Sequence, residues 1–288
     1  MRAWPPSYPA PEQLSAIHEL MRIARESGVG FVPMVLTTHE NSTWVAGADR
    51  LWEVTSWMPG RAENCYHPSR IRVQAACSAL ARVHVAWERF SPQTGACPAI
   101  QRRLAAVRHW RQWTQTGWNP QQATSQTESL RNWINRAWLI LQKWIPWIHH
   151  ALVPWLPEEF PLQPCLCDIR ADHILFSRDE ITGLVDFGSI KIDHVAVDLA
   201  RLLGTMVGDD VEARMAGIDA YSQIRPFSSK HVPLVQALDE TGTILGAANW
   251  LMWRYRDGRT FSNSEEAVRC FGALVERMEK WENIKFKT

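Results

Sequence analysis

Cys165-Leu166-Cys167-Asp168-Ile169-Arg170-Ala171-Asp172-His173-Ile174-Leu175-Phe176, followed after a polar turn by Gly183-Leu184-Val185-Asp186-Phe187-Gly188, is the stretch on which the reading of this chain turns. Ile174-Leu175-Phe176 and Gly183-Leu184-Val185 are short apolar runs, and Ser177 to Thr182 between them is polar, so the segment predicts a β-hairpin. Antiparallel pairing of Phe176 with Gly183 would set His173 opposite Asp186. Asp168 lies five residues before His173, on the loop that feeds the same end. A loop carboxylate, a ligand-type side chain and a second carboxylate would then meet at one hairpin mouth. Phosphoryl transfer needs such a set: one carboxylate orients an attacking hydroxyl, and the other groups hold a divalent ion on the phosphates. On spacing alone, simple turn formation accounts for Asp168, Asp172 and Asp186 equally well.

Working outward, Pro11 to Ser27 carries apolar residues at Leu14, Ile17, Leu20, Met21 and Ala24, a helical period that stops at Gly28. Three β-like runs follow: Phe31 to Leu36, Thr43 to Ala46 and Leu51 to Thr55, separated by turn residues Asn41, Gly47 and Asp49. Beyond Met58-Pro59-Gly60 the chain reads as helical up to about residue 160, with a good amphipathic helix over Ile71–Trp87 and a polar loop over 117–126. After the hairpin, helices are expected over 196–206, 209–222, 231–256 and 264–282. The pattern is α+β: a small α/β piece, then a larger helical piece with one embedded hairpin.

Composition narrows the function. The 288 residues are 46% apolar and 21% charged, which is ordinary for a globular chain. Basic residues number 31 and acidic residues 30, which argues against a broad nucleic-acid-binding surface. No apolar run approaches the roughly 18 residues of a membrane span, and Met1 to Pro6 lacks the apolar stretch of a signal peptide. The expected location is therefore cytoplasmic, with neither nucleic acid nor membrane as partner. Six cysteines at 65, 77, 97, 165, 167 and 270 are expected as reduced thiols, and Cys165-Leu166-Cys167 with His173 lacks the usual zinc spacing. Of sixteen tryptophans, those at 110, 113, 118, 133, 138, 144, 147 and 155 crowd one region, where helix packing is the expected use ahead of an aromatic platform for a sugar or base.

The decisive stretch resembles the catalytic segment of the aminoglycoside phosphotransferase and choline kinase family, which has the protein-kinase-like fold. That family usually reads His-Gly-Asp-x4-Asn-x-Leu-Phe, then two apolar residues and Asp-Phe or Asp-Trp, then Asp-Leu-Ala. This chain supplies Asp168, Leu175-Phe176, Leu184-Val185-Asp186-Phe187-Gly188 and Asp198-Leu199-Ala200. Ala79 to His84 looks like the family's Leu-x-x-Leu-His helix end, and Leu51 to Gly60 like its last small-lobe strand and hinge. The resemblance implies a two-lobe fold, with residues 1–60 as the nucleotide side and 61–288 as the catalytic and substrate side. It implies an ATP-dependent kinase acting on a hydroxyl of a small molecule, with Mg2+ as cofactor. Asp168 would orient the hydroxyl, Asp186 and the residue at 173 would ligate the metal, and Ser56, Trp57 and Met58 would flank the adenine. Asp198 would steady the catalytic loop, and His84 would pack at a helix end.

Three departures qualify that expectation. Leu166-Cys167 replaces His-Gly before Asp168, removing an imidazole that braces the loop in the family. His173 stands where the family has Asn, and imidazole suits Mn2+ better than Mg2+. No Gly-rich hairpin precedes the helix at 11–27; Arg2 falls near the position of the phosphate-pairing Lys, with Gln13 or Glu12 near that of its helix partner. A truncated small lobe of about three strands and one helix is therefore expected. A binding protein that keeps the lobe but not the transfer, a pseudokinase, is the alternative to a kinase.

Overall fold

The computed structural model describes residues 1–6, 8–62, 68–122, 128–259 and 264–285. Cys65 and the last part of the loop expected over 117–126 lie outside them. The elements run β1 (Arg2–Ala3), α1 (Pro11–Glu26), β2 (Val45–Gly47), β3 (Arg50–Glu53), β4 (Arg61–Ala62), α2 (Arg70–Trp87), β5 (Gln93–Gly95), α3 (Pro98–Gln115), α4 (Glu128–Leu152), β6 (Phe160–Cys165), β7 (Ile174–Ser177), β8 (Glu180–Leu184) and β9 (Lys191–Asp193). Four helices complete the chain: α5 (Ala196–Met206), α6 (Val211–Ser222), α7 (Val232–Tyr255) and α8 (Ser264–Lys285). No helix of the described residues is long and apolar enough to cross a membrane.

The chain forms two compact units. One comprises Met1–Gly95 and Glu159–Val235, the other Ala96–Glu158 and Gln236–Thr288. All three sheets of the described residues belong to the first, in the orders β1-β3-β2, β4-β7-β8 and β5-β6-β9. The β7–β8 hairpin thus lies in the first unit, together with α1, α2, α5 and α6.

In the first unit, α1 opens with Pro11 at its first position and buries Leu14, Ile17, Leu20, Met21 and Ala24, the predicted stripe. His18 on that face meets Glu53 of β3 at 2.6 Å, which fastens the helix to its sheet. The expected strand over Phe31 to Leu36 does not form. Pro33 has no N–H to give a ladder, and only a single bridge pairs Val35 with Thr55. Helix α2 starts at Ser69, whose hydroxyl accepts from Arg72 N–H at 3.3 Å, and its buried face carries Val73, Ala76, Cys77, Leu80, Val83 and His84. Trp87 at its end is fully buried and donates to the Leu20 carbonyl at 2.8 Å.

Of the sheet β5-β6-β9, β5 lies in the stretch the pattern assigns to helix, and β6 and β9 fall where it assigns no element. Pro161 and Pro164 within β6 hide a strand from propensity, yet Gln163 pairs with Asp193 and Cys165 with Lys191. Hairpin register also differs from the expectation. Leu175, not Phe176, stands opposite Gly183, and a bulge follows between Leu175 and Phe176. His173 is consequently level with Val185, whose N–H donates to the His173 carbonyl at 2.9 Å. Gly183 has a steric reason: a Cβ there would sit 2.7 Å from Met58 Cβ and 2.8 Å from Leu175 Cδ1.

The second unit is helical. Trp110, Trp118 and Trp138 pack mutually with ring centroids 5.8 to 5.9 Å apart, and Trp144 sits 5.7 Å from Trp281. Trp110, Trp144 and Trp281 are buried. Their rings cover one another, so the tryptophan concentration is a packing device rather than a ligand platform. Among the described residues, Cys77, Cys97, Cys165, Cys167 and Cys270 form no disulfide with one another.

Candidate active site

The loop between β6 and β7 is set by Asp198 at the start of α5. Asp198 is fully buried, and its two oxygens accept from Leu166 N–H and Cys167 N–H, both at 2.6 Å. His84 Nε2 lies 3.0 Å from the same carboxylate, and its Nδ1 lies 2.8 Å from the Tyr221 hydroxyl. Burial pushes the His84 pKa down while Asp198 pulls it up. Here the Asp198 carboxylate braces the loop, and Leu166, where the family has His, is buried in the core. His84, expected as packing alone, is also a polar link in this brace; Tyr221 had no signal in the sequence. Cys165, His84 and Asp198 lie within 4.8 Å of one another, but both nitrogens of His84 and both oxygens of Asp198 are already engaged within the protein. They do not make a metal centre.

Cys167 has φ of +61°. That left-handed conformation costs a non-glycine residue about 1–2 kcal/mol, which explains why a Gly suits the position in the family's motif. Cys167→Gly is expected to raise Tm by about 2–3 °C, since strain relief exceeds the roughly 0.5–1 kcal/mol of added chain entropy. Cys167→Ala keeps the strain and should give no rise in the same calorimetric scan.

Beyond the brace, three aspartates each meet an arginine. Asp168 Oδ1 accepts from Arg201 Nε at 3.1 Å and lies 3.0 Å from its Nη2. Asp172 takes a fork from Arg170, Nε to Oδ1 at 2.9 Å and Nη2 to Oδ2 at 2.7 Å. Asp186 Oδ1 accepts from Arg2 Nη1 at 3.2 Å, and the Arg2 guanidinium stacks over Trp4 at 3.7 Å. All three carboxylates act electrostatically on both His173 and Arg170, so they share one neighbourhood. Arg170 and Arg201 escaped the sequence reading. A signal existed for the second: Arg201 lies three residues after Asp198 on one helix, hence on one face.

Asp186 lies just beyond β8 with φ of +64°, a strained position that Asp tolerates better than most residues. This turn compensates for the shifted register by bringing Asp186 Oδ2 to 3.9 Å from His173 Nε2. Asp172 Oδ1 is 4.0 Å from the same nitrogen. Tyr8 secures the turn after Asp186 by donating to the Gly188 carbonyl at 2.6 Å, and Gln13 donates to the Tyr8 oxygen at 2.9 Å. Gln13 therefore serves Tyr8 and not Arg2, as the resemblance had implied; Arg2 turns to Asp186 instead. A Cβ at Gly188 would meet the Trp4 ring at 2.9 Å, so only glycine fits beside that indole.

Burial, reinforced by the charge of Arg170, holds the His173 pKa below its ordinary value, which favours a neutral imidazole. A neutral His173 nitrogen with Asp186 Oδ2 beside it is a donor pair suited to a divalent cation, and the imidazole favours Mn2+ over Mg2+, while both oxygens of Asp172 are taken by Arg170. In the hinge segment, Ser56 N–H donates to the Met34 carbonyl at 2.8 Å, and its Oγ accepts from Met34 N–H at 2.9 Å. Trp57 beside it is 94% exposed.

A loop aspartate and a hairpin-exit aspartate, carried by a mixed fold of small sheets and a large helical part, fit a small-molecule phosphotransferase. The family model described as "Phosphotransferase enzyme family" matches residues 1–231, and the chain belongs to that family. A homoserine kinase of Janthinobacterium sp. (strain Marseille) is 24% identical over 254 residues, covering 81% of this chain and 67% of that protein. An aminoglycoside phosphotransferase from Alicyclobacillus acidocaldarius superposes with a TM-score of 0.61 at 15% identity, covering 95% of this chain and 82% of the other. A spectinomycin phosphotransferase solved with ADP and spectinomycin gives 0.60 at 12% identity, covering 93% and 82%. At such identities the structural likeness speaks for the fold.

Proposed function

We propose that the chain transfers the γ-phosphoryl group of ATP to a hydroxyl of a small molecule, with Asp168 as the group that addresses the acceptor. The observation that supports this reading is the gathering of Asp168, Asp186 and His173 in one neighbourhood, with Arg2 on Asp186. In the step, the acceptor oxygen bonds to the γ-phosphorus as the bond from that phosphorus to the β,γ-bridging oxygen breaks. The hydroxyl proton passes to Asp168, and ADP leaves. Arg2 offers a guanidinium to the phosphates, and the backbone of Ser56, Trp57 and Met58 offers an edge to the adenine. Residues 1–60 would thus carry the nucleotide and 61–288 the acceptor chemistry.

Asp186 and His173, with Asp172 beside them, would hold a divalent cation, which supplies charge neutralisation on the phosphates. ADP bound by the spectinomycin phosphotransferase supports nucleotide use, and the name of the homoserine kinase points to hydroxy amino acids among the acceptors worth trying. A cytoplasmic site of action accords with ATP as donor. Asp186→Ala is expected to weaken metal-dependent ADP binding by at least about 10-fold, read by calorimetry with Mg2+ and with Mn2+. Equal affinity in parent and variant would rule out this metal–nucleotide site; intact ADP binding without transfer to any acceptor would favour a binding protein.

A further inference from the structure

We infer that Arg201 selects the acceptor, and that the acceptor is an alcohol carrying an anionic group. This rests on the phosphotransfer reading and adds to it the charge class of the substrate. Three observations lead there. Arg201 places both Nε and Nη2 on a single oxygen, Oδ1, of Asp168. Among the described residues Asp168 Oδ2 and Arg201 Nη1 have no hydrogen-bond partner, so the pair keeps one acceptor and one donor group for a third party. Both side chains are open to solvent, at 41% for Asp168 and 38% for Arg201.

The geometry then dictates the chemistry. A hydroxyl that approaches Asp168 must come within hydrogen-bond reach of its carboxylate, and so within a few ångströms of the guanidinium. An amine elsewhere on that molecule would meet a like charge; a carboxylate or phosphate would meet the remaining charged donor group, Nη1. Arg201 is also well placed to discriminate, because α5 carries Asp198, which braces Leu166 and Cys167, one turn before it. Loop and guanidinium are therefore held by the same helix. Arg170 and Arg2 do not compete for this role: the fork of Arg170 is on Asp172, and Arg2 faces Asp186.

The test uses the full chain with ATP and Mn2+ and compares kcat/KM for matched alcohols differing in charge: γ-hydroxybutyrate, γ-hydroxybutyramide and the corresponding amino alcohol. Ethylene glycol phosphate is added to separate a phosphate preference from a carboxylate one. Parent protein should favour an anionic alcohol over the amide by about 10- to 100-fold, the scale of a charge-assisted hydrogen bond, and the amino alcohol least. In Arg201→Gln the ratio of anion to amide should fall towards one, mainly through KM. Arg201→Lys should keep most of it. A role confined to stabilising the loop would lower all substrates together and leave the ratio intact, which overturns the inference. So does a parent that prefers the amide or the amino alcohol, although phosphotransfer itself then stands. If the parent transfers to none of the four and Asp186→Ala binds metal–ADP as well as the parent, both readings fall.

Discussion

Asp168→Asn is expected to lower kcat by about 10²–10⁴-fold while leaving ADP affinity within about threefold of the parent. Two facts set these expectations apart. Asp168 contacts Arg201 on the loop between β6 and β7, whereas Arg2 contacts Asp186, the pair proposed above for the phosphate side. An amide keeps the shape and still accepts one hydrogen bond, but it cannot take the hydroxyl proton. Single-turnover transfer measured beside calorimetric ADP binding separates the two effects. A variant that loses both equally would show Asp168 to be structural. One that retains more than about a tenth of the parent rate would remove it from the proton path altogether.

For Asp198→Ala the expected loss is in stability. The side chain is wholly buried and serves three neighbours: the Leu166 and Cys167 amides and His84. Truncation strands buried donors and leaves a small cavity, which costs on the order of 3–5 kcal/mol. For a chain of this size that corresponds to a fall in Tm of about 10 °C, with the transition followed by differential scanning calorimetry. Asp198→Asn should fall between parent and Ala, because one amide oxygen can serve one of the two backbone donors while the NH2 group faces the other. Transfer should collapse in the Ala variant even below its transition, because the loop that presents Asp168 hangs from those two hydrogen bonds. A fall in Tm of less than about 2 °C would mean that the loop is held elsewhere.

What could be read from the residues alone follows from where each signal resides. Helices α1, α2 and α5 to α8 announce themselves because a 3.6-residue period, a capping Ser69 or an initial Pro11 is written within a few residues of chain. The β7–β8 hairpin is equally local, and so is the order Asp168, His173, Asp186, Asp198, which sufficed to indicate the family and the kind of chemistry. Tertiary structure decided the rest. The β5-β6-β9 sheet joins segments far apart in the chain, and its prolines mask the strand until a partner appears. Hairpin register depends on a bulge that no alternation of side chains reveals, and Asp186 reaches His173 only through a left-handed turn. The pairing of Asp168 and of Asp186 with an arginine is likewise decided in three dimensions. Arg2 reaches Asp186 across 184 residues, and Arg201 reaches Asp168 across 33. Charges at such separations can choose among many partners, and only packing of helix, loop and strand selects one.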